Sequence, residues 1–397
     1  MGYDEADVLG PLAEHVVGLR EHLRAMGYKE RQIGRHIELA ADMSEWMMGR
    51  RVPLAGLTAE HVAGFFAERR AGHRWLTTPR AAGPLLGYLR SGGVVLSSPP
   101  PSSPVDLLME RYRHALVDQR GLATGTVASY ELATRMFVSA MGDDIEALRS
   151  LTAGDVSRFV TGACAQPDRM SPRELVSCLR SFLRFLLAEG VTGWPLAQAV
   201  PSYASWRAAR LPQFLTAAQV ARLLASCDRR TAMGRRDHAV LVVLARLGLR
   251  AGEVAALGLD DIDWRAGELR VHGKPRREEL LPLPADVGEA IAAYLQRGRP
   301  QVASRSVFLR AIAPLVGLTP TGVTWVAYAA CDRAGLPRVG AHRLRHTAAT
   351  AVLRGGGSLV EVGQLLGHRR LDTTAIYAKV DQKSLAALAR PWPGSAR

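Results

Sequence analysis

Apolar residues recur at helical spacing through most of the chain. Val16, Leu19, Leu23 and Met26 form one stripe, and Ile33, Ile37, Ala40, Met43 and Met47 form another. Leu57-Thr58-Ala59 opens a third helix, with Thr58 as N-cap and His61 at the third position after it. Leu85, Leu86 and Leu89 mark a fourth. The stretch 97–104, SSPPPSSP, can bury nothing, and its prolines keep it extended. Residues 1–96 therefore read as a helical module and 97–104 as a linker.

Beyond the linker the same plan returns. Leu57-Thr58-Ala59, Val62 and Phe65 match Leu151-Thr152-Ala153, Val156 and Phe159 at an offset of 94 (151 − 57), and Gly27 maps onto Gly121 at that offset. Leu89, Gly93 and Val94 match Leu186, Gly190 and Val191 at an offset of 97 (186 − 89). Several matches at one offset, including a turn glycine, favour an internal duplication of a four- or five-helix module. The second copy occupies residues 105–200. The proline-flanked stretch PLAQAVPSYASWRAARLPQ (195–213) closes it, and 201–213 is a second connector carrying Arg207 and Arg210.

The last region, 214–397, mixes helices with a hairpin. Thr216 caps the helix AAQVARLLASC, and DHAVLVVLARLGL, Asp237 to Leu249, reads as a core helix. Glu268 to His272 alternates as a strand, Gly273 to Arg277 is a basic turn, and Glu279 to Leu283 returns. His342 and Arg345 are three apart and share a helix face. Gly355-Gly356-Gly357 ends that helix, and Ser358 with Glu361 forms a capping box for another that runs to Leu366. The expected fold is mainly α with one small antiparallel β-sheet: helical modules followed by an α+β region.

Charge narrows the partner. The 397 residues carry a net charge of +14, which favours a polyanion through phosphate neutralisation and counterion release. Only Lys29, Lys274, Lys379 and Lys383 are lysines; the other cations are arginines. Cys164, Cys178, Cys227 and Cys331 form no CxxC pair and read as reduced thiols in a reducing compartment. No apolar run spans a bilayer, and the acidic start MGYDEADVLG has no signal-peptide core. A cytoplasmic, nucleoid-associated protein is expected.

Guanidiniums and imidazoles converging on one point can hold a phosphate and the extra charge of its transition state. A tyrosine there can attack phosphorus if positive neighbours activate it, its free pKa being about 10. His342-x-x-Arg345, Leu366-Gly367-His368 and Tyr377, with Gly248-Leu249-Arg250-x-x-Glu253 upstream, resemble the signature of the tyrosine site-specific recombinases, the phage-integrase family. The resemblance covers the chain from about Val105 to its end.

The resemblance implies roles for the matched residues. Arg250 and Arg345 would bind the scissile phosphate, with Glu253 orienting the cluster. His342 would assist proton movement, His368 would bond a non-bridging oxygen, and Tyr377 would be the nucleophile. Lys274 matches the family's hairpin lysine. A lysine can give up its proton where an arginine practically cannot, which suits a general acid for the 5′-oxygen. Arg276, Arg277, Arg207 and Arg210 are candidate DNA contacts. Residues 105–200 would be the core-binding, SAM-like domain.

No cofactor and no metal is expected. His342 and His346 have zinc-pair spacing, with His368 as a third ligand, but Arg343 and Arg345 would oppose a bound cation. The expected partners are double-stranded DNA recombination sites and further copies of the chain, a dimer per site and a tetramer on DNA, with companion recombinases or directionality factors as additional candidates. The alternatives are a transposition recombinase, a type IB-like topoisomerase and a catalytically silent DNA-binding protein. The first module has no counterpart in the simplest family members. It fits either a further DNA-binding module, with Arg31, Arg35, Arg69, Arg70 and Arg74 as cations, or a dimerisation or docking module.

Overall fold

The structure is a computed structural model and describes residues 8–73, 75–95, 103–165, 170–201, 214–273 and 277–366. The described residues are mainly helical, with one three-stranded antiparallel sheet, as expected. By its internal contacts the chain divides into two compact units, residues 1–95 with 208–397 and residues 96–207. No helix among the described residues is long and apolar enough to cross a membrane.

The first module is built from α1 (Val16–Ala25), α2 (Glu30–Arg50), α3 (Ala59–Arg69) and α4 (Gly83–Ser91). The expected apolar stripes supply its core, with Leu19, Leu23, Ile33, Ile37, Met43 and Met47 among the buried residues. Buried Ser44 fastens the segment before α1: its hydroxyl donates to the Leu9 carbonyl at 2.6 Å and accepts from Leu12 N–H at 3.1 Å. Thr58 caps α3 from His61 N–H at 3.3 Å, and the His61 ring nitrogen accepts from Thr58 N–H at 3.2 Å. The imidazole fills the place a glutamate takes in a capping box. Arg69 departs from the surface-cation expectation. It is buried and paired with Asp42, with Glu38 and His73 beside it. A desolvated guanidinium needs such partners and is not presented to a phosphate. Arg35 lies over the Trp75 ring, 4.1 Å from its centroid.

The second unit holds α5 (Pro104–His114), α6 (Thr124–Ala140), α7 (Ile145–Arg149), α8 (Ala153–Ala165) and α9 (Pro172–Ala188). Its core centres on Tyr112, Phe137 and Phe182, with ring centroids of Tyr112 and Phe182 5.1 Å apart. The stretches paired in sequence share local geometry. Gly27 and Gly121 both have positive φ, +79° and +58°. Gly93 and Gly190 are both at +69°, and Val94 and Val191 each donate at 2.9 Å to the residue five before them, Leu89 and Leu186. Thr152 caps α8 from Asp155 N–H at 3.3 Å, as Thr58 caps α3.

The last region contains α10 (Ala217–Ala225), α11 (Ala232–Arg246), α12 (Ala251–Ala256), β1 (Ile262–Asp263), β2 (Glu268–Gly273), β3 (Arg277–Pro282), α13 (Ala285–Arg297), α14 (Pro320–Arg333), α15 (Ala341–Arg354) and α16 (Leu359–Leu365). Helix α11 is the core helix, buried from Ala239 to Ala245. It starts at Ala232 rather than the expected Asp237, because Thr231 accepts from Gly234 N–H at 3.0 Å and caps it there. Arg236 is also buried in it, donating to Asp237 at 2.7 Å and to the Leu309 carbonyl at 3.2 Å. The sheet order is β1-β2-β3, with Leu269 opposite Leu281 and Val271 opposite Glu279. The return strand starts two residues earlier than the alternation suggests, and β1 was not expected.

Before α14 the chain makes a tongue. Leu309 bridges Gly317, and Arg310 N–H donates to the Val316 carbonyl at 2.9 Å. Near its tip, Leu315 N–H donates to the Met26 carbonyl of the first module at 2.8 Å.

The start of the last region is fixed to α15. The Thr347 hydroxyl accepts from the buried Leu215 N–H at 3.0 Å and donates to the Arg343 carbonyl at 2.9 Å. Thr347→Val keeps the shape and strands that N–H. It is expected to lower stability by about 1–3 kcal/mol in urea unfolding, the usual cost of a buried donor without an acceptor.

Candidate active site

Helix α11 ends at a turn that only glycine suits. Gly248 follows the helix at φ +63°, the left-handed stop. A Cβ there would lie 3.1 Å from Leu366 Cδ2 and 3.2 Å from Ala348 Cβ, so two helices also press on it. Leu249 then buries itself, and Arg250 becomes the N-cap of α12. Glu253, three residues on, accepts from Arg250 N–H at 2.7 Å and from the Arg250 guanidinium. An acidic side chain in the first turn of a helix suits the positive end of its dipole. The Glu253 side chain is 9 % exposed, whereas that of Arg250 is 51 % exposed, so one end of the pair is anchored and the other faces out.

Helix α15 supplies the second cation. Leu344 and Ala348 face the interior and draw Arg345 in with them, to 3 % exposure. Its guanidinium donates to the Gly248 carbonyl at 2.8 Å, 97 residues away in sequence, and to the Leu366 carbonyl. It also approaches Glu253 at 3.9 Å, so one carboxylate serves both arginines. Helix α16 holds Leu366 in place. Ser358 caps it from Glu361 N–H at 3.2 Å, Glu361 accepts from Ser358 N–H at 2.6 Å, and Val362 and Leu366 pack on Ala349. This is the capping box read in the sequence.

His342 stands three residues before Arg345. Desolvation pushes its pKa down, and Arg345 and Arg250 push it further. Its ring meets His346 edge to face, with centroids 4.5 Å apart. The imidazole is held neutral at pH 7, with positive charge around it. A neutral imidazole can accept a proton, and clustered cations favour a bound anion.

Arg250, Glu253, His342 and Arg345 are thus brought together. Lys274, Arg276, His368, Tyr377, Arg207 and Arg210 lie outside the described residues. Arg277 is described through its backbone alone, as the first residue of β3 opposite Gly273. The carbonyls of Gly248 and Leu366 were not foreseen as partners of Arg345. Gly248 was visible in sequence as a glycine at the end of an apolar helix, but nothing in its spacing pointed to Arg345.

Two guanidiniums that share one carboxylate, with an imidazole near both of them, on a helical frame with a small sheet, make a site suited to a phosphodiester. Residues 213–384 match the phage integrase family, and residues 109–190 match the phage integrase N-terminal SAM-like domain. The chain belongs to the phage integrase family of tyrosine recombinases, enzymes that break and rejoin DNA strands. It is 41 % identical over 395 residues to the protein named "Putative integrase/recombinase y4rA" of Sinorhizobium fredii (strain NBRC 101917 / NGR234), covering 98 % of this chain and 96 % of that one. It is 31 % identical over 289 residues to tyrosine recombinase XerD of Listeria monocytogenes serovar 1/2a (strain ATCC BAA-679 / EGD-e), covering 70 % of this chain and 95 % of that one. In fold it is similar to the XerH site-specific recombinase bound to palindromic difH substrate in a post-cleavage complex, with a TM-score of 0.54, 15 % identity and 98 % of each chain covered. A lambda integrase (75–356) dimer bound to a COC′ core site gives a TM-score of 0.52 at 18 % identity, covering 67 % of this chain and 95 % of that one.

Two outcomes follow from the geometry. Gly248→Ala forces a Cβ between Leu366 and Ala348 at a backbone angle that disfavours it. Strand cleavage is expected to fall at least tenfold while DNA affinity changes little, as measured on a nicked duplex and by gel shift. Arg250→Ala removes a cation that opposes protonation of His342, so the His342 titration is expected to move up, read by NMR of the imidazole. The sign for folding is the reverse of a salt-bridged histidine. Because the folded pKa is depressed, stability from this group is present above about pH 6.5 and declines as pH falls through the unfolded value.

Proposed function

We propose that the chain is a site-specific recombinase in which Tyr377 attacks a backbone phosphate. The attack forms a 3′-phosphotyrosyl bond and frees a 5′-hydroxyl. The 5′-hydroxyl of a partner strand then attacks the phosphotyrosine and releases the phenol. The bond energy is retained in the ester, so the exchange needs no nucleotide hydrolysis. The observation that carries this reading is the sharing of Glu253 between Arg250 and Arg345, with His342, its pKa lowered by burial and by these two cations, beside them.

Arg250, half exposed, touches the phosphate. Arg345 contributes charge from beneath and keeps the Gly248 turn and Leu366 in register. His342 exchanges a proton with the phenol, His368 bonds a non-bridging oxygen, and Lys274 protonates the leaving 5′-oxygen. Arg276, Arg277, Arg207 and Arg210 neutralise flanking phosphates. Residues 105–200 form the core-binding domain, residues 1–96 are its duplicate, and 214–397 form the catalytic domain. Two protomers occupy each site, and four protomers join two duplexes for integration or excision of a mobile DNA element in the nucleoid. The DNA-bound XerH and lambda integrase structures support DNA as the substrate.

The test uses a duplex from the DNA flanking the coding sequence, nicked near the cleavage point. The wild-type protein is expected to accumulate a covalent protein–DNA adduct. Tyr377→Phe is expected to bind the same duplex and give none. An undiminished adduct in that variant assigns the chemistry to another nucleophile.

A further inference from the structure

The turn that carries Gly27 in the first module recurs at Gly121 in the second unit, yet the two glycines meet different surroundings. At Gly121 a Cβ would find nothing within 4 Å. At Gly27 it would lie 2.2 Å from Leu315 Cδ1 and 2.6 Å from Leu315 Cγ, on the tongue before α14. The neighbours of Gly27 join this contact. Met26 accepts from Leu315 N–H at 2.8 Å. Burial pushes the Tyr28 phenol up, and Arg310 of the same tongue opposes that shift. Leu309, at the root of the tongue, is fully buried in the catalytic region. The same local turn is therefore open in one copy and seated on another part of the chain in the other.

This contact is small: a backbone hydrogen bond, a leucine on a glycine and a phenol near an arginine. Contacts of this size between parts of a chain open and close readily. Connectivity gives the contact its significance. Residues 96–207 form their own unit, preceded by the first module and followed by the catalytic region. While the tongue holds the module, both ends of that unit are tied to one body. A segment tied at two points stays at higher effective concentration near that body than one tied at a single point.

We propose that the contact of Met26, Gly27 and Tyr28 with the tongue 309–317 is a latch that ties both ends of the central helical unit to one body, so that duplex DNA bound by the chain is released slowly. The inference rests on the recombinase reading. The latch governs how long the duplex stays and takes no part in the chemistry.

The test compares the full-length protein with Leu315→Glu, Gly27→Ala, Leu315→Ala and the double variant Gly27→Ala/Leu315→Ala. Dissociation is followed from a fluorescent duplex of the flanking DNA after addition of excess competitor, and adduct yield is measured on the nicked duplex at saturating protein. Leu315→Glu is expected to speed release at least about tenfold. Gly27→Ala is expected to do so too, and truncating Leu315 in the same chain returns room for the Cβ and restores part of the slow release. Adduct yield stays at the wild-type level throughout. Release unchanged in Leu315→Glu, or strictly additive effects in the double variant, overturns the latch even if one variant folds poorly. Absence of adduct in the wild-type protein overturns the recombinase reading, while the release measurements still decide the latch.

Discussion

A guanidinium buried to 3 % exposure has to find acceptors inside the fold, and Arg345 finds them on three separate elements. The Gly248 carbonyl comes from the turn after α11, the Leu366 carbonyl from the end of α16, and Glu253 from the first turn of α12. Removing this group would leave two buried carbonyls short of a donor and Glu253 with one cation fewer. Breaking a buried pair in this way typically costs about 3–5 kcal/mol, far more than a surface ion pair is worth. Arg345 thus fastens the elements that shape the site as well as charging it.

The rest of the site inherits its geometry from that arrangement. Glu253 is held nearly out of solvent and in turn fixes Arg250 through both backbone and side chain. Arg250 can therefore face outward without being free to wander. Burial lowers the His342 pKa, and the same two cations lower it further. A site whose charges are already in place needs little rearrangement when negative charge develops, and this kind of preorganisation is usually the largest contribution to catalysis.

What could be read in advance was what is encoded locally. The helix start at Ser358, the N-caps at Thr58 and Thr216, the alternation of β2 and the spacing of His342 and Arg345 each depend on residues within one or two turns of each other. Long-range pairings were harder. Arg236 fell outside the expected helix, but the structure buries it inside α11 with Asp237, its guanidinium also donating to the Leu309 carbonyl 73 residues away. Arg69 read as a surface cation, and Asp42 draws it inside. In both cases one charge compensates another, and a charge with its partner next to it looks in sequence like any solvated residue. The two residues of β1 pair with β2 without any periodicity of their own. The family was legible because several short patterns occur together in order, although each alone is common.

The paired helical stretches show how far local encoding reaches. Both place a glycine at positive φ after a helix, both reuse threonine caps, and both close with a glycine at +69°. These features follow from steric rules that act over a few residues, so similar sequences produce similar turns. What the turn then meets is set elsewhere. Leu315 seats itself on Gly27, some 290 positions distant (315 − 27 = 288), while the corresponding spot at Gly121 stays uncovered. A turn selected for its backbone angle thereby also offers a flat place without a side chain, and a leucine from a remote segment can occupy it. The conformational demand that explains a glycine in one stretch does not exhaust its use in the other.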